Sequence, residues 1–425
     1  MSGKLFFSKS LNNFNNLKKG KILESKVKEA NKKEHFEIFE KEDELYSCSR
    51  CGTCLAYCPV YKQTLDESLS PRGKMSLLEA VSKSRIEYTD KISQKLFTCT
   101  TCNLCDGECP SGVKINEMIS TAKSDLIDAH KYPEVLDILK ARIKKAYNVT
   151  FDSNIGRLDW VKQLPGGEPE KYIKEKAEVV YFVGCVSSFS PRSFGIPRSI
   201  VQDFESAGVD FTLLGEEEWC CGFPLINSGI KDVTVDMARH NIDAVKSKDA
   251  KLLVLSCPSC YHTWMHEYPK YFKEKIDFEI LHISQYLLRL IKSKKIKLNP
   301  MSGKVTYHDP CDLGRNSGIY EEPRDVIKSI PGIEYVELAA NRKLSNCCGG
   351  GGNLESVNQE LASKIALSKA DDIIETGSDI VVTSCQQCNR TIDSALKKKK
   401  KDTNIKIKAI DLPELVLKSI QGDNF

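Results

Sequence analysis

A chain of 425 residues, 41% hydrophobic and 28% charged, is long enough for about three soluble domains, each with its own core. The net charge of +4, from 62 basic and 58 acidic residues, gives no basic surplus of the kind nucleic-acid binding uses. No apolar run approaches the roughly 18 residues of a spanning helix, and residues 1–20 hold only a short Leu5-Phe6-Phe7 patch without a small-residue cleavage site. Neither membrane spanning nor export is expected. Cysteine is the departure from the ordinary, with 18 residues. In a long chain without an export signal, clustered cysteines point to metal rather than to disulfides.

In chain order, residues 1–40 form a charged lead-in with nine Lys and five Glu. Two cysteine runs follow: Cys48, Cys51, Cys54, Cys58 before Pro59, and Cys99, Cys102, Cys105, Cys109 before Pro110. Both read C-x2-C-x2-C-x3-C-P, the bacterial ferredoxin spacing for cubane [4Fe-4S] clusters, in which the fourth cysteine serves the other cluster. The expected ligand sets are therefore Cys48, Cys51, Cys54 and Cys109 for one cluster, and Cys99, Cys102, Cys105 and Cys58 for the other. Zinc sites more often pair two C-x2-C knuckles across a longer loop. Helical sequence such as 74–82 separates the runs, so residues 41–125 are expected to form an enlarged, mostly helical ferredoxin-like domain. A helical linker is expected at 126–176.

The remaining ten cysteines form two sets of five: Cys185, Cys220, Cys221, Cys257, Cys260, and Cys311, Cys347, Cys348, Cys385, Cys388. Each set holds a Cys-Cys pair followed by glycine and ends on C-x2-C. Their flanks repeat as well. Short apolar runs at 178–183, 209–214 and 251–256, and again at 305–308, 333–338 and 379–384, read as buried parallel strands. Helical stretches at 231–247 and 283–293 alternate with them, as do 354–376 and 412–420 in the second half. Two tandem α/β domains follow, 177–300 and 301–425. Ligands in such sheets bind beyond the strand C-terminal ends, which is where the cysteines fall. Cys260 is expected to open a helix over 261–268, its thiolate favoured by the helix dipole.

The C-x(31–39)-CC-G…C-x2-C pattern resembles the cysteine-rich CCG domain of heterodisulfide reductases. Two ferredoxin-type runs ahead of two CCG domains resemble the catalytic D chain of the membrane-associated enzyme. Supporting stretches are Ser70-Pro71-Arg72-Gly73-Lys74, Cys257-Pro258-Ser259-Cys260, His308-Asp309-Pro310-Cys311 and Tyr320-Glu321-Glu322-Pro323-Arg324. The resemblance covers about residues 44–425 and implies a noncubane [4Fe-4S] cluster at each five-cysteine set. It further implies reduction of a small disulfide, or oxidation of thiols, in two one-electron steps between those clusters, with electrons fed by the two cubane clusters. The same architecture resembles iron–sulfur subunits of FAD-linked glycolate, lactate and glycerol-3-phosphate dehydrogenases, which pass electrons towards quinone. The expected fold class is α+β multidomain: a helical ferredoxin-like 2x[4Fe-4S] domain, then two tandem α/β CCG domains.

No dinucleotide fingerprint is evident, so no flavin or NAD is expected in this chain; electrons then require a partner such as a b-type cytochrome, a flavoprotein or a ferredoxin. A cytoplasmic location follows, or one at the inner face of the membrane reached peripherally through that partner. His308, three residues before Cys311, is a candidate proton donor to a leaving thiolate, or else orients its loop. His262 and His266 have i, i+4 spacing for a metal on a helix but no general-base Glu between them. Lys397 to Lys401 reads as a solvated helix end, or as a docking site for an acidic donor protein or an anionic membrane. Gly349 to Gly352 lacks the Lys-Ser/Thr ending of a phosphate loop.

Overall fold

The structure, a computed structural model, describes residues 36–272, 276–402 and 405–423. Most of the charged lead-in at 1–40 lies outside the described residues. The chain from 36 to 176 is helical, its main helices being α1 Pro71–Ser82, α2 Asp90–Phe97, α3 Ile115–Asp128 and α4 Val135–Ala146. Helix α1 starts where Ser70 Oγ accepts the Gly73 N–H and Pro71 presets the first turn. Its Met75, Leu78 and Val81 share one face at i, i+3, i+6 and are buried with Leu96, Phe97, Met118 and Ala122 of α2 and α3. The stretch between the two ferredoxin-type runs thus makes a core of its own. The Asp125 carboxylate on α3 accepts the N–H groups of Glu37 (2.7 Å) and Ile38 (3.1 Å), pinning the start of the described chain.

Two four-stranded parallel sheets follow. The first holds β1 Val179–Phe182, β2 Phe211–Leu213, β3 Leu252–Leu255 and β4 Glu279–His282, in the order β2-β1-β3-β4. The second holds β5 Gly303–His308, β6 Ile333–Val336, β7 Ile380–Thr383 and β8 Lys408–Asp411, in the matching order β6-β5-β7-β8. The central strands β1, β3 and β7 are buried at every residue, as parallel strands covered on both faces must be. In the first domain the helices are α5 Gly195–Ser206, α6 Asp232–Lys246, α7 Pro258–His262 and α8 Ile283–Lys292. In the second they are α9 Glu321–Lys328, α10 Gln359–Ile374, α11 Gln386–Asp402 and α12 Leu412–Gln421.

Two local expectations are corrected. The helix expected over 354–376 breaks after Leu354–Val357, because Asn358 leaves helical geometry (φ −152°) and caps α10 by accepting the Leu361 N–H. Cys260 does not open its helix: Cys257 is the N-cap, Pro258 the first residue, and a π turn at Thr263–Glu267 follows.

The domains pack reciprocally. Helix α5 of the first lies on α12 of the second, and α8 of the first on α9 of the second. One apolar core runs through both, including Tyr181, Phe204, Leu287, Tyr307, Val326 and Leu415. Among the described residues no helix is long and apolar enough to cross a membrane.

Candidate metal centres

None of the 18 cysteines is in a disulfide. In the helical region Cys48, Cys51, Cys54 and Cys109 line one small cavity, and Cys58, Cys99, Cys102 and Cys105 line another. The Ser70-Pro71-Arg72-Gly73-Lys74 stretch serves both. Arg72 reaches the first cavity and donates to the Arg50 carbonyl (3.2 Å). Lys74, buried beside the second, donates to the Thr98 carbonyl (2.6 Å). Gly73 is needed between them because a Cβ there would collide with the Glu67 carbonyl oxygen. Cys51 is exposed, so the first cavity lies at the surface.

In each sheet the first cysteine follows the first strand, the Cys-Cys pair the second and the C-x2-C the third. The order β2-β1-β3-β4 puts the switch point between β1 and β3, the crevice where such folds place ligands. Cys185 and Cys257 leave those two strands; Cys311 and Cys385 leave β5 and β7. All five cysteines of the first set and four of the second, Cys311, Cys348, Cys385 and Cys388, line one cavity of about 400 Å³. Its walls come from all three domains. The ferredoxin-like region contributes Thr100 and Thr101, the glycine run Gly350 to Gly352, and helix α4 Val135, Leu139 and the half-exposed Ile138.

The loop at 99–102 lies directly on the second sheet's glycine run. Gly352, at φ +64°, sits so close to the Cys99 carbonyl that no side chain fits. Arg315 joins the two regions, donating to the Cys102 carbonyl (2.7 Å) and the Ser345 carbonyl (2.7 Å). Cys102 and Cys347 are buried in one cluster with Cys58 and Leu361. The second ferredoxin-type set therefore abuts the second five-cysteine set.

Charge inside the sites is built partly from residues that motif reading missed, Arg157, Glu218 and Arg315, and partly from Asp309 and Arg324 of the motif stretches. Arg157, wholly buried, donates to Glu218 Oε1 (2.6 Å) and lies 3.8 Å from Cys185 Sγ. Glu218 also accepts the Val183 and Gly184 N–H groups, both at 2.7 Å, fixing the turn into Cys185. Cys220 N–H donates to the Tyr147 carbonyl (2.7 Å), so the chain at 126–176 builds part of this site. In the second domain Arg324 pairs with Asp309 at 2.6 and 2.8 Å, and Arg315 faces Cys311 and Cys347. Arg157 stands outside every cysteine motif and so carries no sequence signal; Arg315 lies only four residues past Cys311.

His308 ends β5, is buried, and has neither ring nitrogen bonded to protein. It is not among the residues lining the cavity but lies behind it, its nearest nitrogen within 4.8 Å of Cys348 Sγ and Cys388 Sγ. Burial drives its pKa well below the usual imidazole range, so the ring is neutral. His262 and His266 stand with ring centroids 4.8 Å apart, and His262 contacts Glu267 at 3.7 Å rather than closing a metal site. The lysine run ends α11, with Lys397 paired to Asp393 and Lys398 to Ser363.

These donor sets suit thiophilic iron. Burial pushes the Cys54 and Cys58 thiols up to about 11 and those of Cys105 and Cys311 well above the usual thiol range. Bringing them together as thiolates therefore requires a cation, and metal ligation deprotonates thiols outright.

The cysteine-rich domain family, CCG, matches residues 179–264 and 305–393, and the 4Fe-4S dicluster domain family matches 44–113. The D chain of the dihydromethanophenazine:CoB–CoM heterodisulfide reductase of Methanosarcina barkeri is 31% identical over 89% of this chain and 94% of its own length. The chain belongs to the family of CCG-domain iron–sulfur proteins that resemble this heterodisulfide reductase D chain. It is an iron–sulfur oxidoreductase subunit that binds [4Fe-4S] clusters. The B chain of the fumarate reductase (CoM/CoB) of Methanothermobacter marburgensis is 29% identical over 85% of this chain and 70% of its own length. The EtfAB:quinone oxidoreductase of Syntrophomonas wolfei is 24% identical, over 91% of this chain and 60% of its own. A hypothetical protein from Helicobacter pylori shares the fold in a crystal structure, with a TM-score of 0.50 at 12% identity, covering 85% of this chain and 70% of that one.

Proposed function

We propose that this chain is the disulfide-reducing component of a heterodisulfide reductase-type complex. It converts RSSR′ + 2 e⁻ + 2 H⁺ to RSH + R′SH, or runs the reverse. One observation carries the reading: the two five-cysteine sets line a single cavity of about 400 Å³. Cys257 and Cys385, leaving equivalent strands, are close enough to feel each other's charge across it. The ligands would be Cys48, Cys51, Cys54 and Cys109, then Cys58, Cys99, Cys102 and Cys105, for two cubane clusters. Cys185, Cys220, Cys221, Cys257 and Cys260, and Cys311, Cys347, Cys348, Cys385 and Cys388, would hold two noncubane ones. When bound, the clusters supply one-electron redox steps, two of which reduce one disulfide.

The chain's own groups arrange this chemistry. Arg157 and Arg315 hold positive charge beside the cysteine sulfurs. Val135, Ile138 and Leu139 give the cavity one apolar wall. The contact of Cys102 with Cys347 gives a short route from the ferredoxin-like region to the second set. The exposed Cys51 marks where a partner would deliver electrons. A partner is supported by the names of the relatives, which are components of larger enzymes.

A second reading, an electron relay for a flavin dehydrogenase, is favoured by the quinone-linked relative EtfAB:quinone oxidoreductase and by the probable iron–sulfur-binding oxidoreductase FadF of Bacillus subtilis. Anaerobically purified protein decides between them. Four [4Fe-4S] clusters predict about 16 iron atoms per chain. An EPR signal on oxidation that depends on added thiol supports the reductase. Full iron without such a signal favours the relay, and zinc in place of iron defeats both.

A further inference from the structure

One buried difference between the two five-cysteine sets lies at the end of the strand before the first cysteine. Phe182 ends β1, pairs with Leu255 in register and stands three residues before Cys185. His308 ends β5, pairs with Thr383 in the same register and stands three residues before Cys311. Phe182 packs edge-on against Trp264, with ring centroids 5.8 Å apart, in an apolar cluster. His308 occupies the equivalent position with 1% exposure and both ring nitrogens unpartnered, which carries a real cost for a polar group in a core. Cys348 and Cys388 Sγ lie within 4.8 Å of its nearest nitrogen. An imidazole has an N–H to give in either protonation state, and the sulfurs are the acceptors at hand.

We propose that His308 donates its N–H to Cys348 or Cys388 Sγ and sets the second set's cluster at a higher reduction potential than the first set's. The inference rests on the reading that both sets hold clusters. An N–H bond to a ligating sulfur stabilises the more negative, reduced form, so it raises the potential. Phe182 offers the first set no such bond. The second set is also the one that abuts Cys102, so the more easily reduced site is the one nearest the second ferredoxin-type set. His308 acts through the cysteines and is a positioning residue.

The test uses the full chain, purified anaerobically with any partner, with ¹⁵N-histidine incorporated. Pulsed EPR of a reduced sample should show a weak nitrogen coupling that changes with the isotope and is absent in His308→Phe, the variant that copies Phe182. A redox titration should show the potential of one five-cysteine-set cluster falling in His308→Phe, with iron content unchanged, and largely recovering in His308→Gln, which keeps an N–H donor. Full iron with no histidine coupling, or potentials unmoved in His308→Phe, would overturn the proposal alone. A strong coupling diagnostic of a direct iron–nitrogen bond would overturn it too. Wild-type protein with iron for only the ferredoxin-type sets would overturn the underlying reading as well. The labelled wild type needs no variant to fold, so it decides even if His308→Phe loses its clusters.

Discussion

The two CCG domains share strand order, cysteine spacing and packing partners, yet they are supported differently. In the first, the buried cation is Arg157, brought in from before the sheet and held by Glu218. In the second, Arg324 on the helix after the first cysteine is held by Asp309 and Glu337, and Lys369 of α10 is buried as well. In the first, Cys185 neighbours Cys220 within its own set; in the second, Cys347 takes Cys102 of the ferredoxin-like region as its neighbour. Between the last two cysteines stand Pro258 and Ser259 in one set, and Gln386 and Gln387 in the other, with Gln386 Nε2 reaching Ser256 Oγ of the first domain at 2.9 Å. The same cysteine pattern thus carries two sites tied to different surroundings, the first to the chain around Tyr147 and Arg157 and the second to the ferredoxin-like region. A repeat can keep its cysteine pattern while its surroundings diverge, because groups around a metal site tune and connect it without being ligands.

Cysteine variants break the comparison most severely. Cys221→Ser and Cys348→Ser should each lose about four iron atoms per chain, measured by iron and acid-labile sulfide analysis. Cys347→Ser should in addition disturb the EPR signal of a ferredoxin-type cluster, whereas Cys220→Ser should not. Next come the buried arginines. Arg157→Met strands the Glu218 charge and should cost about 3–5 kcal/mol in anaerobic denaturant unfolding. Arg324→Met should cost a similar amount, because Asp309 keeps the Arg342 N–H at 2.8 Å just as Glu218 keeps the Val183 and Gly184 N–H groups.

The domains should also titrate differently. His282 caps α8, and burial lowers its pKa to about 3. Asp411, at the equivalent register before α12, is pushed up by burial instead. His282 is neutral in the fold and titrates near 6.5 when unfolded. Its folded pKa is the lower one, so stability is lost as pH falls below about 6.5, by up to roughly 1.4 kcal/mol per pH unit. His282→Asn keeps a capping side chain and should flatten that acid limb in unfolding measured from pH 7 to pH 5. The smallest effect belongs to the lysine run. Lys397→Ala removes an exposed i, i+4 pair with Asp393 and should change stability by less than about 0.5 kcal/mol.

Much of the site was legible without coordinates, since thiolate ligands must come in countable groups at spacings that a local loop can wrap. The two ferredoxin-type runs, the two five-cysteine sets and the repeat that carries them follow from that, and so do six of the eight strands, because buried β-branched runs are short and uninterrupted; the edge strands β4 and β8 were missed, being partly exposed and mixed in composition. Strand ends were legible only to a residue or two, and the break at Asn358 was not, because one asparagine can cap a helix that periodicity runs straight through. Tertiary structure alone decided which sets meet. Cys102 beside Cys347, Arg157 behind Cys185 and His308 in the place of Phe182 are contacts across tens to hundreds of residues, set by how the helical region and two sheets pack. Sequence determined the candidate donors, because coordination chemistry restricts residue type and spacing. The fold decided their order and electrical surroundings, because burial and proximity belong to no single segment.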